Sequence, residues 1–395
     1  MEMLNEQQLL AMVTARGAAL RDGRVVLYAG ANLPSEEAQR AYAPELSAYP
    51  AMGPSFAKEQ PDTDLVSGLE VAVGERICSL FGATWAEARL PSCTIANLAV
   101  FHAFGKPGDL LLAPAAAHGG HLSQRRGGTP ELAGLTVVDL PFDSVNCRLD
   151  AEAAAEQVRT LRPALVMLGR SVIITPDDLA PVVAAAREVG AKTLFDASHV
   201  SGLIAGGTFP NPLELGVDII TSSTYKTLPG RPHSLIAGRH AEDGERLARF
   251  IDRALLANYD AGKLPSFLIT LQQAAADKGA YARRICAASE TFAGVLRDLD
   301  VAVVAPQAGE VFTHQVLVPM SAAQDAPAAI KALERQGILV GTCNDPTTPG
   351  AYALRVGTQF VVAQGQDEQV EIIARRLAAA LYRDLDGRMA VATAR

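Results

Sequence analysis

Between about residues 90 and 240, short apolar runs alternate with helical stretches, and this alternation limits the possible folds more than any other feature of the chain. The runs fall at 110–113, 136–140, 165–168, 193–195, 218–221 and 234–237, and residues 151–161 and 179–189 between them read as helices. Strands that are apolar on both faces and separated by helices belong to a mainly parallel sheet covered on both sides. The expected fold class is α/β. After about residue 265 the order changes to helices at 267–275 and 282–299, short strands at 301–304 and 314–318, and a helix at 367–381. That change predicts a smaller α+β lobe.

Ahead of the alternating region, Leu9, Leu10, Met12, Val13 and Leu20 recur at roughly helical spacing before the Arg21-Asp22-Gly23 break, which predicts a helical arm that docks on another surface. Residues 64–81 open on a capping Asp64 and place Leu65, Leu69, Val73, Ile77 and Leu80 on one helical face. The expected division is an arm over 1–25, a large domain over 26–265 and a small domain over 266–395. With 395 residues the chain has material for two lobes.

The net charge of -8 and pI near 5.5 supply no basic field, so nucleic acid is not an expected partner. MEMLNEQQLL lacks the positive charge and apolar run of a secretory signal, and no stretch of about 18 apolar residues follows; the expectation is a soluble protein that is neither exported nor membrane-bound. Cys78, Cys93, Cys147, Cys286 and Cys343 are scattered, odd in number and without C-x-x-C spacing, which predicts no disulfide framework, no metal and a cytoplasmic location.

Two apolar runs end in chemically capable residues: Thr193-Leu194-Phe195-Asp196-Ala197-Ser198-His199, and Asp218 through Ser223-Thr224-Tyr225-Lys226-Thr227. Ligands of open α/β sheets bind at the carboxyl ends of strands, so Asp196 and Lys226 are expected to face one crevice. A lysine amine able to form a Schiff base and an acid able to keep a pyridine nitrogen protonated are what pyridoxal 5'-phosphate (PLP) requires of its protein. Taken singly, such a lysine is ordinarily a solvated surface residue and such an aspartate a helix cap.

Four ordered segments tip that balance. FDASHVSGLIAGG, TSSTYKTLPGR, the preceding AHGGHL and the later LRVGT stand at intervals that resemble serine hydroxymethyltransferase. The resemblance implies the aspartate-aminotransferase-like type I PLP fold, PLP on Lys226 and a homodimer with shared active sites. It further implies that His121 stacks on the cofactor ring, that Asp196 meets the pyridine nitrogen, and that Ser92, Cys93 and Thr94 form a phosphate cup. Ser171 would lie near the ring hydroxyl, His199 near that oxygen or the substrate, Ser223 and Tyr225 would flank the lysine and reach the phosphate, and Arg355 would grip the α-carboxylate of an amino-acid substrate. Guanidinium suits the last task because its planar donors meet both carboxylate oxygens at once.

The chain also departs from that family. Cys93 stands for a glycine, Tyr225 for a histidine, and 228–232 displaces an arginine to Arg231. The family's glutamate for proton transfer and folate chemistry falls on Met52, with Glu59 the nearest carboxylate, and its tyrosines fall on Gln60 and Pro61. Asn344-Asp345-Pro346, in the family's folate neighbourhood, is retained, so tetrahydrofolate as a second cofactor has mixed support that leans against it. The expected chemistry is making or breaking the Cα–Cβ bond of a β-hydroxy-α-amino acid, by an aldolase, transaldolase or hydroxymethyltransferase; the loss at 52 favours an aldolase or an aldehyde- or hydroxymethyl-transferring relative over serine–glycine interconversion, with an α-substituted serine such as α-methylserine among the candidate substrates. Tyr225, His121 or a water would serve as base. A transaminase, decarboxylase or β-eliminating enzyme on the same fold, or a non-catalytic PLP-binding protein, remains as the alternative; a dinucleotide-binding dehydrogenase is disfavoured because no G-x-G-x-x-G follows a strand.

Overall fold

The computed structural model describes residues 5–304, 313–320 and 326–383. Its central sheet has seven strands in the order Trp85–Glu87, Pro229–Gly238, Ile219–Tyr225, Lys192–Asp196, Leu165–Leu168, Leu110–Ala113, Thr136–Asp139. The last five are mutually parallel. Pro229–Gly238 runs antiparallel to its neighbours on both sides. Only three residues join it to Ile219–Tyr225, too few for the crossover that a parallel neighbour needs.

The apolar runs have a direct explanation. Leu165 and Met167 enter one core cluster with Leu111, Leu194 and Ile236, whereas Val166 and Leu168 enter another with Leu112, Phe195 and Ile220. A strand with alternate side chains in two separate cores must be apolar at every position, and each such side chain contributes about 1.5–3 kcal/mol. The predicted helices Asp64–Phe81, Ala151–Leu161 and Ala180–Val189 lie outside the sheet as expected.

The small lobe carries an antiparallel sheet in the order Gln315–Pro319, Tyr352–Gly357, Gly341–Asn344, with helices Ala280–Asp298, Ala326–Arg335 and Val370–Arg383. Two features depart from the expected division. Helix Lys263–Ala276 spans the boundary drawn at 265, yet it packs on helix Asp64–Phe81 and strand Pro229–Gly238 of the large lobe. Val25–Val26 pairs in parallel with Ile338–Leu339, so the chain just after the arm serves the small lobe. Pairings between opposite ends of the chain leave no trace in local periodicity.

From there the N-terminal segment runs on to the large lobe. The Gly357 N–H donates to the Leu27 carbonyl, Gln359 Nε2 donates to the Tyr28 and Ala31 carbonyls, and Asn32 Nδ2 donates to the Lys226 carbonyl at 2.5 Å. The helical arm is Glu6–Asp22, closed at its start by reciprocal Asn5 and Gln8 bonds. Leu9, Leu10, Met12 and Val13 on it are 50–62% exposed. No helix among the described residues is long and apolar enough to cross a membrane.

Candidate active site

The site lies where parallel strands end. Asp196 is the last residue of its strand and pairs in register with Thr221 on the next, which runs on to Tyr225 and Lys226. Beyond Leu165–Leu168 the chain turns at Gly169, whose φ is +76° and whose Cβ, were there one, would lie 2.4 Å from the Asp196 carbonyl. Only glycine lets Ser171 be delivered there. Gly120 has the same function ahead of His121, since a Cβ on it would meet the Pro114 carbonyl at 2.1 Å.

Ser92, Cys93, Thr94, His121, Ser171, Asp196, His199, Ser223, Tyr225 and Lys226 all line one cleft. Arg355 is not in that lining, but its Nη1 donates to the Ser171 carbonyl at 2.8 Å and its charge reaches Lys226, His121 and His199. Met52, Glu59 and Arg231 do not line the cleft. The Met52 N–H donates to Gln60 Oε1, Glu59 is exposed, and Arg231 lies over the Tyr42 ring and donates to the Gln39 carbonyl. Helix Cys93–Phe104 begins at Cys93, and the Ser92 hydroxyl caps it by accepting from the Ile95 N–H at 3.4 Å. The N–H groups of Cys93 and Thr94, in the first turn, have no acceptor within the helix.

Asp196 is 5% exposed and accepts from the Ser198 N–H and Asn97 Nδ2, each at 3.0 Å, and from Cys93 Sγ at 3.6 Å. The Lys226 amine makes no ion pair among the described residues and stands 5.9 Å from the Tyr225 ring centre. Burial lowers its pKa, an effect that Asp196 and Cys93 oppose and Arg355 reinforces. Burial also raises the Tyr225 phenol and the Cys93 thiol, so both stay protonated at neutral pH. His121 is shifted down, mainly by burial.

Several contributors were not singled out from the sequence. Asn97 joins Asp196 to Ser123, which contacts His121. Gln124 lies in the lining and accepts from the His121 N–H. Gln315, from the small lobe, donates to the Ser171 carbonyl at 2.9 Å and accepts from the Ile173 N–H at 3.2 Å. Asn97 lies one helical turn after Cys93, and that i,i+4 spacing was the one available signal.

His199, in the lining, stacks at 5.5 Å on His314, and both are buried. Burial pushes His314 down to about 3 and the distant buried His233 to about 4. An unfolded histidine titrates near 6.5, so the unfolded state binds more protons below that pH and stability declines as pH falls from about 6.5 toward these values. At pH 5 each costs about 2 kcal/mol. His233→Gln is therefore expected to shrink the loss of urea-unfolding free energy between pH 7 and pH 5 by about that amount. An unchanged loss would mean that the buried imidazole is not the cause.

The lining fits PLP on its own chemistry. Ser223 Oγ, Gln124 Nε2 and Arg170 Nε belong to it and are buried without a hydrogen-bond partner, although Arg170 is closely paired with Asp177. Donors left without acceptors call for a ligand rich in anionic oxygens. Lys226 offers an amine and Asp196 a carboxylate on adjoining strands.

The serine hydroxymethyltransferase family profile matches residues 8–375. An α-methylserine aldolase of Ralstonia sp. is 31% identical over 364 residues, 91% of this chain and 83% of its own length. Another from Variovorax paradoxus is 33% identical over 323 residues, 81% and 73% of the two chains. A serine hydroxymethyltransferase of Aeropyrum pernix is 31% identical over 356 residues, 88% and 81%. Among solved structures, an L-threonine transaldolase from Pseudomonas fluorescens superposes with a TM-score of 0.88 at 24% identity, covering 95% of this chain and 87% of that one.

Proposed function

The chain belongs to the serine hydroxymethyltransferase family, and from that premise we propose that it cleaves, and in reverse forms, the Cα–Cβ bond of an α-substituted serine such as α-methylserine without folate. The type I fold and PLP as cofactor go with the family. The observation that carries the reading is the cleft itself. It gathers Lys226 and Asp196 at adjoining strand ends, and among the described residues Asp196 is the only carboxylate in its lining.

PLP, when bound, supplies an electron-accepting ring for the electron pair left at the α-carbon. The residues do the rest. Lys226 holds the cofactor, and its lowered pKa keeps more of the amine neutral than an ordinary lysine would at the same pH. Asp196, anchored by three donors, keeps a negative charge fixed beside the position its strand end addresses. Ser171 is held through its carbonyl by Arg355 and Gln315, and the remaining guanidinium donors suit an α-carboxylate. A fully substituted α-carbon carries no hydrogen, which removes transamination initiated at that hydrogen. The hydroxyl proton leaves as the Cα–Cβ bond breaks, formaldehyde departs, and a proton returned to Cα yields alanine. The missing carboxylate at position 52 fits this course, in which no folate-bound one-carbon unit is handled.

The test is aldehyde trapping from α-methylserine, serine and threonine with and without tetrahydrofolate. Release without folate supports the reading, whereas strict dependence on folate returns the protein to serine–glycine interconversion. Arg355→Ala is expected to raise KM for the amino acid about 30–100-fold, the worth of a charge-assisted pair, with PLP retention unchanged. Equal losses of both would remove its assigned role. The working form we propose is a cytoplasmic homodimer; the exposed apolar side chains of helix Glu6–Asp22 and the five free cysteines support this.

A further inference from the structure

Behind the cleft, a line of buried hydrogen bonds runs from the strand beside Asp196 to His121, and its direction can be derived. Thr221 Oγ1 donates to Asn97 Oδ1 at 2.6 Å. Asn97 Nδ2 lies 3.0 Å from Asp196 Oδ2 and 3.0 Å from Ser123 Oγ. An ionised carboxylate only accepts, so the amide nitrogen must face it, and its second hydrogen goes to Ser123 Oγ. That oxygen is 2.8 Å from His121 Nδ1. Having accepted from Asn97, Ser123 has its own hydroxyl hydrogen free to donate onward. The Ser123 backbone N–H, which can only donate, independently points at the same nitrogen from 3.2 Å.

Two donors therefore converge on Nδ1, one of them a main-chain group with no alternative polarity. Asn97 and Ser123 are both fully buried, so water does not compete for these bonds. Nδ1 is left with its lone pair, and in the neutral ring the proton resides on Nε2.

We propose that Asn97 and Ser123 are positioning residues that hold His121 as the Nε2-protonated neutral imidazole, so that it donates a hydrogen bond to an oxygen of the bound amino acid and does not take the hydroxyl proton. This rests on reading the cleft as an amino-acid site. It decides among the three bases left open by the sequence. His121 is a donor, and the Tyr225 phenol, kept protonated by burial, is not a ready acceptor of a proton either. The hydroxyl proton leaves through water. The charged groups that act on His121 are Asp196, which favours its cation, and Lys226, Arg355 and Arg125, which oppose it, in the same sense as the two donors on Nδ1.

The test is nitrogen NMR of PLP-loaded, histidine-labelled protein, with His121→Gln to assign the signal. Wild type is expected to show a protonated Nε2 and a bare Nδ1. Ser123→Ala removes the hydroxyl donor and is expected to raise the Nδ1-protonated fraction about tenfold and lower kcat about five- to tenfold, the worth of one hydrogen bond, with PLP still bound. Ser123→Thr, which keeps a hydroxyl, is expected to restore both. A protonated Nδ1 in wild type overturns the proposal, as does a Ser123→Ala signature identical to wild type. Asn97→Leu, which frees Ser123 Oγ to accept instead of donate, must move the signature in the same direction as Ser123→Ala. Failure of the amino-acid reading is seen separately, as PLP-loaded protein that releases no aldehyde, and the tautomer is read in either case.

Discussion

Lys226→Ala is expected to abolish aldehyde release from α-methylserine, lowering the rate by on the order of 10⁴-fold or more, with the fold intact. Among the described residues no second lysine lines the cleft that could take over. Removal of the amine also relieves a burial cost, since the folded protein holds Lys226 below its ordinary pKa. Stability should accordingly be unchanged or slightly higher below about pH 10, where the unfolded lysine binds the extra proton. The decisive measurement pairs aldehyde trapping with thermal unfolding. A folded, PLP-containing Lys226→Ala protein with substantial residual release would show that Lys226 is not the catalytic amine.

Asp196→Asn is the second large effect, with kcat down on the order of 10²–10³-fold and a smaller change in KM. The substitution preserves shape but not charge. It also sets an amide N–H against donors, because both carboxylate oxygens already accept, from the Ser198 N–H on one side and from Asn97 and Cys93 on the other. One of these contacts must reverse or break. If Asp196→Asn kept near-normal kcat, the residue would be a structural cap for the turn at Ser198 and the assignment of the pyridine partner would fall.

The sequence reveals the strands with unusual clarity because each carries two cores. At 110–113 and 165–168 apolar residues occupy every position, and the strands have those same bounds. Helix 151–161 is equally legible, since Asp150 caps it and its apolar residues keep one face. Asp196 and Lys226 were legible because they stand just past apolar strands, where polar side chains have no packing role, whereas the other predicted cleft residues were reached through the resemblance to serine hydroxymethyltransferase. Asn97, Ser123 and Gln315 were legible in neither way. Asn97 sits inside an otherwise apolar helix and Gln315 at the start of an apolar strand, and each is explained only by partners remote in sequence, Asp196 in one case and Ser171 in the other. Periodicity reports which way a side chain faces, whereas a buried amide is defined by what it meets.

The strand Val25–Val26 has a consequence for how the protein folds. Its partner Ile338–Leu339 lies far along the chain, and the contacts of Tyr28 and Ala31 with Gln359 come later still. Until these contacts form, Asn32, which braces the Lys226 carbonyl, hangs on a segment with an unpaired edge. The support of Lys226 is therefore completed by contacts of long sequence separation, which close late and slow that step of folding.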